Sequence, residues 1–130
     1  MILTLRTDSP VAEVGLYEAN GKKISYHTWP ADRQLSTQLL SVIYEQLQKA
    51  GIDWSGLTGI AVYEGPGSFT GLRIGITVAN ALAYSLQKPV VAARGEDWLS
   101  DCMRQIQSGH NAKLVLPHYG AEANITLPKK

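Results

Sequence analysis

Glycines, prolines and hydroxyl residues crowd one stretch of the chain, Gly65-Pro66-Gly67-Ser68-Phe69-Thr70-Gly71-Leu72-Arg73-Ile74-Gly75. The apolar run Ile60-Ala61-Val62 precedes it, and a segment rich in Ala, Val, Ile and Leu follows as far as Gln87. The reading is strand, tight turn, helix. Such a junction points backbone N–H groups away from the first helical turn, where the helix dipole favours an anion. Gly65, Gly67 and Ser68 are therefore candidate contacts for an anion or a nucleotide. The same residues also suit a sharp turn with a closely packed helix behind it and no ligand.

Several known loops are excluded by single residues. A Walker A loop needs a Lys after a glycine, and the one basic residue of this stretch is Arg73. A dinucleotide fingerprint needs a third glycine where Thr70 stands, and it follows the first strand of a sheet rather than the fourth. Thr70 also breaks the Gly-x-Ser-x-Gly pattern of hydrolases.

No catalytic set stands out elsewhere. His27, His110 and His118 lack metal-ligand spacing, and His27 reads as a surface or edge residue. Cys102 with His110 or His118 would form a nucleophile pair in principle, but nothing near Cys102 lowers its pKa. Glu96, Asp97 and Asp101 read as a solvated helix face. The residues thus offer no convincing catalytic set and no metal-ligand spacing.

The helix after the glycine turn has a second feature. Gly71, Gly75, Ala79 and Ala83 recur every four residues and form a ridge almost without side chains, with Leu72 beside it. Glycine inside a helix costs about 1 kcal/mol against alanine, so two of them imply a packing reason. The ridge either meets a neighbouring element of the same domain or admits a partner.

The remaining chain supplies the elements that position this stretch. Met1–Leu5 reads as a buried strand, and Thr7-Asp8-Ser9-Pro10 as a turn. Val11–Tyr17 alternates, with Ala12, Val14 and Leu16 on one face. Asn20-Gly21 is a hairpin signal, and Ile24–Trp29 returns as a third strand. A helix opens at Pro30-Ala31-Asp32, with Leu35, Leu39, Ile43 and Leu47 as one stripe and Leu40 and Tyr44 beside it. Gly51 closes it as a C′ residue. Thr58–Tyr63 is the fourth strand, about 68–87 the second helix, Val90–Ala92 the fifth strand, and about 96–107 a third helix. The order is βββαβαβα, the α/β order of the ribonuclease H-like fold, the half-unit of actin and sugar kinases. Residues 1–107 form that domain and 108–130 an extended tail. An actin-like enzyme carries an acid at the end of the first strand, and Arg6 stands there instead.

Composition sets the bounds. The 130 residues are 45% hydrophobic, with a formal charge of +1. That suits one globular domain and offers no electrostatic footprint for nucleic acid. The single cysteine allows no internal disulfide, and no apolar run reaches the ~18 residues of a membrane span. The Met-Ile-Leu-Thr-Leu start has no basic flank, so it reads as a strand and not a signal peptide; the expected compartment is the cytoplasm.

The eleven residues Gly65 to Gly75 resemble the signature of the TsaB (YeaZ) family, proteins of tRNA threonylcarbamoyladenosine (t6A) biosynthesis. Lys49-Ala50-Gly51 and Lys88-Pro89-Val90-Val91 agree with it, and the resemblance covers about 1–107. The family's Asp-Thr-Ser after the first strand is replaced by Arg6-Thr7-Asp8, and its second actin-like half by a short stretch in which Pro117-His118-Tyr119 resembles the family's end. The chain thus reads as a minimal form of the family, or as its N-terminal half with a replacement tail.

The resemblance implies a non-catalytic scaffold for a TsaD-like catalytic partner, which modifies adenosine 37 of tRNA. A TsaE-like ATPase joins, ATP or ADP and metal belong to the partners, and tRNA is met only indirectly. The two helices would pair with the partner's helices through Leu39, Ile43, Leu47, Gly71, Leu72, Gly75, Ala79 and Ala83, and would form a homodimer when the chain is alone. A small anion-binding module and a peptidase remain as alternatives.

Overall fold

A computed structural model of the chain describes residues 1–118; the expected tail falls partly on 119–130, outside the described residues. The elements are β1 Ile2–Arg6, β2 Val11–Tyr17, β3 Lys23–Pro30, α1 Leu35–Lys49, β4 Gly59–Gly65, α2 Phe69–Leu86, β5 Val90–Arg94 and α3 Trp98–Gln107. The βββαβαβα order holds. The sheet runs β3-β2-β1-β4-β5, with β1 antiparallel to β2 and parallel to β4. β2 pairs antiparallel with β3, and β4 parallel with β5. This is the ribonuclease H-like arrangement.

Two cores flank the sheet because its strands alternate. Leu3, Leu5, Ala12, Val14 and Leu16 meet the stripes of α1 and α2 on one face. Ile2, Tyr17, Ala61, Tyr63, Val91 and Ala93 join Trp98, Cys102 and Met103 of α3 in the second core. The hairpin turns at Gly21, whose φ is +93°. There Gly21 N–H donates to Glu18 O at 2.8 Å and Lys22 N–H to Asn20 Oδ1 at 2.9 Å.

Helix ends depart from the sequence reading in instructive ways. Pro30 closes β3 and does not open a helix; a 3-10 turn, Asp32–Gln34, intervenes before α1. A second 3-10 turn at Trp54–Gly56, without periodic signal in the sequence, is capped by the Asp53 carboxylate on Ser55 N–H. Gly51 ends α1 as expected: its N–H donates to Gln48 O, and Ile52 N–H to Leu47 O, both at 3.0 Å. α2 ends the same way on a side-chain-bearing residue, Gln87 at φ +57°, with Lys88 N–H on Ala83 O at 3.0 Å.

Residues 111–118 pack back onto the domain. Asn80 clasps the backbone of Val115 at two points, Nδ2 to O at 3.0 Å and N–H to Oδ1 at 2.9 Å. Val115 is buried in the first core, while Leu114 and Leu116 face out.

Candidate functional site

The parallel strands β1 and β4 end side by side, which brings the turn after β1 onto the glycine turn after β4. Thr7 is 2% exposed and wedges into α2. Its hydroxyl donates to Gly71 O at 2.7 Å. A Cβ on Gly71 would strike the Thr7 carbonyl, and one on Gly75 the Thr7 hydroxyl. The two helix glycines are therefore a notch for Thr7, not a groove for another helix.

Asp8 fills the next position. A Cβ on Gly67 would collide with Asp8, and Ser68 N–H donates to Asp8 O at 2.9 Å. Arg6 grips the Asp8 carboxylate with both arms, Nε to Oδ1 at 2.8 Å and Nη2 to Oδ2 at 3.2 Å. This hydrogen bond raises the Arg6 pKa, against a smaller lowering from burial. The guanidinium lies 4.0 Å from the Tyr63 ring centre, and Tyr63 Oη donates to Pro66 O at 2.9 Å. On the other flank, Gly65 has φ +135° and lies under the His118 carbonyl, while His118 N–H donates to Glu64 O at 2.9 Å.

The fold brings Gly65, Gly67 and Ser68 into one turn and covers them with its own chain. Asp8 lies over Gly67 and takes the Ser68 N–H, and His118 lies over Gly65. Where an actin-like enzyme carries an acid, Arg6 and Asp8 form a neutral pair, which does not suit a divalent cation. Among the described residues no three His, Cys, Asp or Glu side chains converge as metal ligands. Cys102 is fully buried, and burial pushes its thiol up to about 12. His110 is exposed, His118 lies at Gly65, and no hydrogen bond joins either to Cys102 among the described residues.

The helix residues expected at a partner surface require a correction. Leu39, Ile43, Leu47, Leu72 and Ala79 are 0% exposed and Ala83 4%. Gly75 is buried and Gly71 half-buried. Their faces pack on the chain's own sheet, because an amphipathic stripe opposite an apolar sheet face is covered first by that face. The outward side of the pair belongs to their neighbours. Leu40 is 51% exposed and Tyr44 45%. Next to them a groove of about 460 Å³ runs between α1 and α2, lined by Ser36, Thr70, Arg73, Ile74, Thr77 and Val78. A wider cleft of about 760 Å³ opens at the head of both helices, where Ser9, Asp32, Arg33 and Ser68 meet. In the sequence Asp32 reads as part of a helix start and not as a site residue; in the structure it takes φ +46° at the lip of this cleft.

Known proteins resemble this chain in sequence and in fold. The sequence model of the family "TsaD: tRNA N6-adenosine threonylcarbamoyltransferase" matches residues 29–99. A protein of that name from Syntrophobacter fumaroxidans is 40% identical over 62 residues, 48% of this chain and 18% of its own length. The tRNA threonylcarbamoyladenosine biosynthesis protein TsaB of Escherichia coli is 30% identical over 90 residues, 69% of this chain and 38% of its own. The solved structure of YeaZ from Pseudomonas aeruginosa superposes with a TM-score of 0.66 at 35% identity, over 72% of this chain and 43% of that one. RuvC of Thermus thermophilus, at 11% identity and TM-score 0.51 over 84% of this chain and 78% of its own, shares the fold alone. The chain spans less than half the length of the TsaD and TsaB relatives it matches. With the family model covering more than half of its residues and the TsaB-type turn in place, the chain belongs to the TsaD family and is a homologue of TsaB (YeaZ).

Proposed function

We propose that this chain is a non-catalytic subunit that docks a TsaD-like catalytic partner through the outward side of α1 and α2. In this role it supports threonylcarbamoyl modification of adenosine 37 in tRNA. The observation that carries the reading is the uncovered helix pair. Leu40 and Tyr44 stand half-exposed on α1, beside the groove between the helices. Apolar side chains left open on adjacent helices are the usual material of an interface core. The neutral Arg6–Asp8 pair at the strand ends supports the non-catalytic half of the reading.

The assembly would place catalysis, nucleotide and metal in the partners, including a TsaE-like ATPase, and would meet tRNA only through them. Without a partner, the same helix face would pair two copies of the chain about a two-fold axis. The compartment would be the cytoplasm, where tRNA is modified; no described helix is long and apolar enough to cross a membrane. Copurification of the chain with a TsaD-like subunit, compared between wild type and Leu40→Glu, tests the reading. A complex that forms equally well with both rules the helix face out.

A further inference from the structure

Arg6 stands at the carboxyl end of β1, beside the turn that leaves β4. Ligands of open α/β sheets bind outside the carboxyl ends of the strands. A guanidinium at that place is a natural partner for an oxyanion, because its fork meets two oxygens at once. Here both oxygens belong to Asp8, at 2.8 and 3.2 Å. The carboxylate does not swing freely. Its side chain is 13% exposed, and Oδ2 lies 3.2 Å from the point where a Gly67 Cβ would stand. The Asp8 carbonyl takes the Ser68 N–H, so the peptide is tied down as well. The Tyr63 ring under the guanidinium holds the arm in place from the other side.

We infer that Asp8 is an internal occupant of an oxyanion site, its carboxylate filling the place between Arg6 and Gly67 that a ligand's phosphate group would take. The chain is closed to phosphate-bearing ligands for as long as Asp8 stays there. An ordinary surface ion pair would need neither a glycine beneath the carboxylate nor a backbone tie to the neighbouring turn. The inference stands apart from the helix-pair reading, since it concerns the strand ends and not the outward helix face.

The test is calorimetric titration of the purified chain with inorganic phosphate and, separately, with ADP. Wild type is expected to bind neither at millimolar concentration. Asp8→Asn keeps the shape and the backbone tie but removes the charge, and is expected to bind at least about tenfold more tightly. Asp8→Ser serves if the amide variant does not fold. The gain should vanish in Arg6→Ala/Asp8→Asn. A gain with both ligands assigns the site to the phosphate group, and a gain with ADP alone to a nucleotide. Folded Asp8 variants that bind no better than wild type overturn the inference, as does a gain that survives loss of Arg6.

Discussion

The Thr7 hydroxyl donates to the Gly71 carbonyl at 2.7 Å, across 64 residues of sequence, and so ties the turn after β1 to the first turns of α2. The contact exists because Gly71 and Gly75 have no side chains. Their place in the helix is explained by what lies against them, since the helix itself would be more stable with alanine at both. The register of the site follows from it: with Thr7 seated, Asp8 meets Gly67 and Ser68, and Arg6 pairs with Asp8.

Alanine at either glycine should therefore destabilise the chain by about 1–3 kcal/mol through overpacking, despite the gain of about 1 kcal/mol in helix propensity. The two should differ in rescue. At Gly75 the obstacle is the Thr7 side chain, so Thr7→Ala should recover part of the loss in a double-mutant cycle. At Gly71 it is the Thr7 carbonyl, which no substitution at Thr7 removes. Denaturant unfolding of the single and double variants measures both, and equal rescue at the two positions would contradict the notch.

The helix pair should separate stability from binding. Ala79→Leu adds bulk at a position with no exposure and should cost about 1–3 kcal/mol. Leu40→Glu lies outside and should change stability by no more than about 0.5 kcal/mol, while Tyr44→Glu also gives up the stack of Tyr44 on Trp54, at a cost of about 0.5–1.5 kcal/mol. On the docking reading they weaken the complex with a TsaD-like subunit at least about tenfold. Thermal melts beside a binding titration show both effects.

Asn80 should act as the anchor of residues 111–118. Asn80→Ala leaves the N–H and carbonyl of buried Val115 without partners, at a cost of about 1–3 kcal/mol. Hydrogen exchange at the Val115 amide should accelerate more than the loss in global stability alone requires.

Cys102 should resist thiol reagents in the folded chain at pH 8 and react on unfolding, because it is fully buried and its thiol is held protonated. Burial pushes its pKa up to about 12, above the ordinary thiol value of 9.0, so folding favours the neutral form. The associated stability is complete below about pH 9 and falls as the pH rises toward about 12, by no more than about 1.4 kcal/mol per pH unit. Tyr26 is shifted upward as well, mainly by burial and then by its hydrogen bond to Glu13, and adds a loss of the same sign above its ordinary value of 10.0. Urea midpoints between pH 8 and 11 should decline, and Cys102→Ala should flatten the decline.

Much of the local order of the described residues was legible in the sequence. The alternation of β2, the Asn20-Gly21 turn, the Leu35-Leu39-Ile43-Leu47 stripe and the Gly51 stop each rest on residues a few positions apart, where backbone preference and periodicity act directly. The glycine turn and its helix were readable for the same reason. What covers those glycines was not. A ridge of Gly71, Gly75, Ala79 and Ala83 announces that something approaches closely, but Thr7, a neighbouring helix and a foreign subunit all satisfy the same spacing. Only the pairing of β1 with β4 brings Thr7 there, and only the seating of Asp8 on Gly67 turns Arg6 from an open cation into half of a closed pair. Periodicity finds the buried face of a helix; which side is left for a partner depends on how much of it the sheet has already covered.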